Sequence, residues 1–369
     1  LILEASKTTG LVLRALLQGP TQGSVNLPLM SRATRKNLCL LFKYLGDVAV
    51  AVPAMRALKE SRPQEEMHVL VAEDAVPIVR HLPWVDRVWG LRRKRGRLQL
   101  GATLPMIAAL RAQRFDLSVD FVGNDRGAVL SRLIGAVERV GLIADLGFWG
   151  RARCYTHGIP EHTIPYADVH ESERHLALLS GLGVPQKSSL ALEVHADPGL
   201  VAEAAVLLPK GTVLAHLSTS QPKKEWPIPL WRELYLRARS EYVPFVFASG
   251  PSAREQALLS RLREIEPEAP ILPEVGRLDL YLAVLARAGA FVSGDTGPLH
   301  FAAGLGIPTL SLFAATDARR WAPIGAQHRC LIGAGCLCSG HAHVCTHTAP
   351  CIASLSVDEV WKSLRALVV

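Results

Sequence analysis

Three short segments carry residues whose types and spacing suit chemistry on an anionic ligand. The first is Phe291-Val-Ser-Gly-Asp-Thr-Gly-Pro-Leu-His300, trailed by Phe301-Ala-Ala-Gly-Leu-Gly-Ile-Pro308. An apolar run ends at Ser293, glycines make a tight turn, and Pro298 opens a helical stretch. Glycine lets backbone approach a ligand closely, and the unsatisfied N–H groups of a helix start favour phosphate. Asp295 can accept from sugar or ribose hydroxyls, and His300, one turn into the helix, can reach a phosphate. The same residues also read as a capped turn, since Asp and Thr are good caps. The second segment is Leu217-Ser-Thr-Ser-Gln-Pro-Lys-Lys-Glu-Trp-Pro227, where Thr219, Ser220 and Lys223 or Lys224 form a phosphate-binding set after a strand. A lysine there would neutralise charge on a departing diphosphate; the alternative is a solvated lysine pair. Trp226 reads as packing. The third is Lys43-Tyr-Leu-Gly-Asp47-Val. Asp47, past a strand end and before a helix, fits either a general base or a helix cap.

The elements that must position these groups alternate. Strands are expected at 38–43, 68–72, 87–91 and 117–121, with helices at 49–59, 104–113 and 126–134 and Pro53 in the first turn of the 49–59 helix. After a Pro/Ser/Lys-rich break at 185–198 the pattern restarts, with strands at 212–216, 244–248, 290–293 and 308–313 and helices at 229–240, 253–265 and 298–305. Strand–helix alternation predicts parallel sheets wrapped by helices, whose ligands sit beyond the carboxyl ends of strands. The expected organisation is an extension over 1–36, a Rossmann-like domain over 37–184, a linker over 185–198 and a second Rossmann-like domain over 199–369, facing one another across a cleft.

The chain has 369 residues, 49% hydrophobic and 20% charged, a globular balance long enough for two domains. Its net charge of +8 suits anionic partners without choosing among phosphates, membranes and nucleic acid. No apolar run is long enough to span a bilayer, and Leu1–Leu17 lacks the pattern of a signal peptide. The seven cysteines, an odd number, fit a reduced cytoplasmic chain better than a disulfide scaffold.

Taken together, the Gly-Asp-Val turn, the Lys-Glu-Trp-Pro loop and the Ser-Gly-Asp-Thr-Gly-Pro-Leu-His segment resemble glycosyltransferase family 9, whose best-known members are ADP-heptose:lipopolysaccharide heptosyltransferases. The resemblance runs from about Leu38 to the C-terminus. It implies a GT-B fold and inverting transfer from ADP-L-glycero-β-D-manno-heptose to a lipopolysaccharide core or related anionic glycolipid, with no cofactor or metal required. It implies Asp47 as catalytic base, Lys224 and Ser220 at the donor, Asp295, Thr296, Gly297 and His300 as the donor loop, and Glu255 at the ribose, on a looser alignment. The basic residue that many members carry six positions before the Asp is Leu41 here, with Lys43 nearer. Two further groups stand out. In Arg92-Arg-Lys-Arg-Gly-Arg97, the residues Arg92, Arg93 and Arg95 suit an anionic acceptor or form a solvated loop. Cys336, Cys338, Cys345 and Cys351, interleaved with His341, His343 and His347, offer zinc-ligand types without a standard finger spacing; a disulfide or a reduced loop is the alternative. No nucleic acid partner is expected; contact with the inner face of the cytoplasmic membrane is. Rival readings are transfer of a hexose or N-acetylhexosamine, or non-catalytic sugar-nucleotide binding. An oxidoreductase is disfavoured, because no Gly-x-Gly-x-x-Gly follows the first strand.

Overall fold

The computed structural model describes residues 34–94, 97–98, 100–143, 147, 150–164, 169–334 and 351–368. The expected extension lies outside the described residues up to position 33. Thirteen strands are described: β1 (Lys36–Leu41), β2 (Glu66–Ala72), β3 (Arg87–Leu91), β4 (Arg93–Lys94), β5 (Arg97–Leu98), β6 (Leu117–Asp120), β7 (Glu138–Ile143), β8 (His157–Pro160), β9 (Val213–His216), β10 (Phe245–Ala248), β11 (Ala290–Gly294), β12 (Thr309–Phe313) and β13 (His328–Ile332). Six form one parallel sheet in the order β3-β2-β1-β6-β7-β8, and five a second in the order β10-β9-β11-β12-β13. Each order reverses beside its first strand, and crevices open at the carboxyl ends of strands at such switch points. In the first sheet that end leads to Asp47; in the second it leads to the 217–224 loop and to Asp295.

The central strands are short apolar runs buried on both faces, as parallel sheets require. β11 is buried at all five positions, and β1 at five of six. The helix expected at 49–59 begins earlier, at Leu45, and runs to Ser61. Pro53 therefore lies inside the helix rather than in its first turn, at the cost of one backbone bond. Asp47 in turn falls in the first turn, where a carboxylate suits the helix dipole. One core runs from this helix (Val52, Met55) into the helix Gly297–Gly304 (Leu299, Phe301, Ala302), so the two halves share buried apolar surface. Trp226 is buried, packs edge-on against Trp231 and donates to the Leu355 carbonyl at 3.1 Å.

The 185–198 segment is tied to both halves. Glu193 pairs with Arg56 at 3.0 Å and accepts from Trp84 at 3.1 Å, while the Val194 N–H donates to the Gly304 carbonyl at 2.9 Å. The Arg92–Arg97 region contains an antiparallel hairpin, β4 with β5, rather than a plain loop. Cys351 begins the short turn Cys351–Ser354; Cys336, Cys338, Cys345 and the three histidines lie outside the described residues. Among the described residues no helix is long and apolar enough to cross a membrane.

Candidate functional site

A cleft of about 1220 Å³ is lined from both halves. Gly46, Asp47, Glu73 and Arg80 come from the first, and Ser220, Lys224, Glu255, Asp295, Thr296, Gly297 and His300 from the second. The starts of the Leu45–Ser61 and Gly297–Gly304 helices meet here. A Cβ added at Gly46 would stand 3.1 Å from both Gly297 Cα and His300 Cδ2, so glycine at 46 permits the approach.

On the second half, Lys224 and Asp295 pair at 2.7 Å with both side chains mostly buried. Asp295 therefore does not cap its helix. Thr296 occupies the N-cap position without a side-chain capping bond, Pro298 has no N–H, and the Leu299 N–H turns back to the Thr296 carbonyl at 3.1 Å, so the helix start reaches the cleft with no side chain capping it. Gly294 packs against the Lys224 carbonyl and the Thr219 methyl, which locks the two loops together. Thr219 is turned away from the cleft: its hydroxyl donates to the Gln221 carbonyl at 2.7 Å and accepts from the Gln221 N–H at 3.2 Å. Its backbone N–H reaches Glu225 at 3.0 Å, and Ser220 is the hydroxyl that lines the cavity. Lys224, rather than Lys223, is the lysine of the lining. His300 is buried, its Nδ1 has no hydrogen-bond partner among the described residues, and burial pushes its pKa down.

Glu255 also lines the cleft, in a role its sequence context foretold only in part. It is the N3 residue of a capping box with Ser252: each side chain accepts from the other's backbone N–H, at 3.2 and 3.4 Å. It also accepts from the Ser218 hydroxyl at 3.1 Å. Burial pushes the carboxyl up, but the bonds from Ser252 and Ser218 outweigh this and hold it below its usual value.

On the first half, Asp47 is partly buried. Its pKa is raised, first by burial and also by the neighbouring Glu171, against the pull of Lys43 and of the Tyr44 and Asp47 backbone N–H groups. Glu171 was not foreseen. It opens the helix Glu171–Ala177, is 2% exposed, and pairs with Arg174 at 3.1 Å, Arg320 at 2.8 Å and Lys43 at 4.0 Å. Arg320 belongs to the second half, so this ion pair joins the halves beside Asp47. Burial alone would raise Glu171, yet His175, Arg174, Arg320 and Lys43 bring it down to about 2. Of the basic cluster, Arg92 is exposed and pairs with Glu73 of the cleft rim at 3.1 Å. Arg93 lies in β4, and Arg95 is outside the described residues.

Comparison with known proteins agrees with this architecture. The model of glycosyltransferase family 9 (heptosyltransferase) matches residues 104–344. Lipopolysaccharide heptosyltransferase 1 of Pseudomonas aeruginosa is 31% identical over 284 residues, covering 74% of this chain and 77% of that protein. Lipopolysaccharide heptosyltransferase 3 of Escherichia coli is 24% identical over 296 residues, covering 76% of this chain and 84% of its own. Among solved structures, a family 9 glycosyltransferase from Veillonella parvula superposes with a TM-score of 0.79 at 16% identity, over 90% of this chain and 97% of that one. The E. coli ADP-heptose lipopolysaccharide heptosyltransferase II does so at 0.70 and 18%, over 90% and 98%. The chain belongs to glycosyltransferase family 9: it is a heptosyltransferase-like glycosyltransferase of the GT-B fold.

Proposed function

We propose that this family 9 member moves a heptose from ADP-L-glycero-β-D-manno-heptose to a hydroxyl of an anionic lipopolysaccharide-core acceptor, with inversion at the anomeric carbon. The observation that carries the reading is the meeting of two helix starts in one cleft, one bearing Asp47 and the other following the Lys224–Asp295 pair. The donor diphosphate lies at the start of the Gly297–Gly304 helix, with Ser220 and Lys224 supplying a hydroxyl and a positive charge. Lys224 stays anchored by Asp295 until the phosphates arrive. Glu255 takes the ribose hydroxyls and His300 stands by the phosphates.

Asp47 accepts the proton of the acceptor hydroxyl as its oxygen attacks the anomeric carbon from the face opposite the diphosphate. The new glycosidic C–O bond forms while the C–O bond to ADP breaks, and the electron pair leaves with ADP. Charge on the departing diphosphate meets Lys224 and the helix start, groups already in place before reaction. No metal takes part in the reading. Arg92, Arg93 and Arg95 offer guanidinium groups to the acceptor's carboxylates and phosphates. The acceptor's lipid part places the work at the inner face of the cytoplasmic membrane.

The deciding variant is Asp47→Asn. A general base contributes roughly 10²–10⁴-fold, so kcat should drop by that range while ADP affinity and thermal midpoint stay near wild type. A purely structural role in the first turn predicts near-normal kcat, because Asn keeps an acceptor oxygen for the Tyr44 and Asp47 backbone N–H groups.

A further inference from the structure

One hydrogen-bonded chain in the cleft is left unused by this mechanism. His216 ends β9, is 3% exposed, and lines the cavity together with Glu255 and Tyr281. Its Nε2 lies 3.1 Å from the Ser218 hydroxyl and its Nδ1 lies 3.1 Å from the Tyr281 hydroxyl. Ser218 in turn contacts the Gly250 N–H at 2.9 Å and Glu255 Oε1 at 3.1 Å.

Donor counting assigns every proton. The Glu255 carboxylate is ionised and can only accept, so the single Ser218 proton points to it. Both Ser218 lone pairs are then taken, one by the Gly250 N–H and one by His216 Nε2–H. Burial holds the His216 imidazole down to about 4, so at neutral pH it carries one ring proton. That proton is on Nε2, Nδ1 is an acceptor, and the Tyr281 hydroxyl must donate. The chain thus runs one way, from Tyr281 through His216 and Ser218 to Glu255. The other carboxylate oxygen is held by Ser252, and a Cβ at Gly250 would collide with the carboxylate. Glu255 is therefore fixed from both sides before any ligand arrives.

We propose that His216 is a positioning residue for a nucleoside diphosphate: through Ser218 it aims the Glu255 carboxylate at the ribose hydroxyls, and through the Tyr281 hydroxyl it fixes that ring as a wall of the nucleoside site. The proposal rests on the reading that Glu255 meets the donor ribose. Its consequence is selective: loss of the relay costs the ribose contact and spares the phosphate contacts.

Two substitutions divide the relay. His216→Asn keeps an acceptor near the place of Nδ1 but leaves Ser218 without its donor, whereas His216→Gln can still donate to Ser218. Calorimetric titration of the full chain with ADP and with 2′,3′-dideoxy-ADP reads the difference. In wild type ADP should bind at least ~10-fold more tightly than the dideoxy nucleotide, the loss expected when a charged group forfeits its partner. That ratio should fall below about 3-fold in His216→Asn, persist in His216→Gln, and leave dideoxy-ADP affinity unchanged throughout, within the same kind of margin. Ser218→Ala serves in place of His216→Asn if that variant does not fold. A wild-type ratio near one, an unaltered ratio in His216→Asn, or an equal loss for both nucleotides would overturn the proposal. The donor reading fails separately, if ADP does not bind or binds equally well to Lys224→Ala.

Discussion

The two walls of the cleft are built by opposite means. On the wall from the second half, polar groups are held by partners: Lys224 by Asp295, Glu255 between Ser218 and Ser252, and Thr219 turned into its own loop. On the facing side, Asp47 is pushed toward its neutral form by burial and by Glu171, and Arg92 lies exposed at the rim. The first wall is set before a ligand comes; the second holds a carboxylate whose proton affinity has been raised. A group meant to bind diphosphate gains from fixed charge, while a group meant to take a proton gains from a pKa moved toward the working pH. The Glu171–Arg320 pair spans the two beside Asp47.

Variants on each wall should separate these roles. Lys224→Ala should weaken ADP-sugar binding or turnover at least ~10-fold, about 1.4 kcal/mol, and leave Asp295 buried without its cation. Donor titration checks this, and unchanged affinity and rate would remove the Lys224–Asp295 wall from donor binding. Neutralising Arg92, Arg93 and Arg95 together should raise the acceptor KM several-fold, about 1 kcal/mol. The effect should shrink at high salt while donor affinity holds. A change confined to donor binding would reverse the assignment. The smallest effect should come from Glu171→Gln. Removing that negative charge, which raises the Asp47 pKa, favours the ionised form of Asp47. The acid limb of the kcat profile should therefore move to lower pH, by under about one unit for a partly screened interaction. A limb that stays in place, in a folded variant, would detach Glu171 from the base.

How much of this was legible in the sequence follows the range of the interactions. The 291–300 segment and the Gly-Asp turn are local, so strand end, tight turn and helix start could be read from consecutive residues. The helices Ile228–Ser240 and Ala253–Ile265 appeared close to their true bounds for the same reason. The Leu45–Ser61 helix was misjudged at its start because residues 48–55 are all buried, which removes the one-sided pattern that marks an end. Strands β7, β8 and β13 carry half-exposed positions and gave weak signals. Ser252-Ala-Arg-Glu255 is a capping-box sequence whose structural half went unread. Glu171 and Arg320 lie 149 positions apart, and His216 and Tyr281 lie 65 apart. No periodicity announces a partner at that distance; only the folded sheets bring them together. The Cys/His segment at 336–350 falls outside the described residues.

The central claim is the transfer itself, and one measurement addresses it most directly. The protein is offered ADP-L-glycero-β-D-manno-heptose, a UDP-hexose and UDP-N-acetylhexosamine in turn, each with a heptose-free anionic lipopolysaccharide-core acceptor. Nucleotide release is followed and the anomeric configuration of any product is read by NMR. The account predicts acceptor-dependent release of ADP from the heptose donor alone, with a product linkage of configuration opposite to that of the donor. Release from a UDP-sugar instead, or a product that retains the donor's configuration, would contradict it.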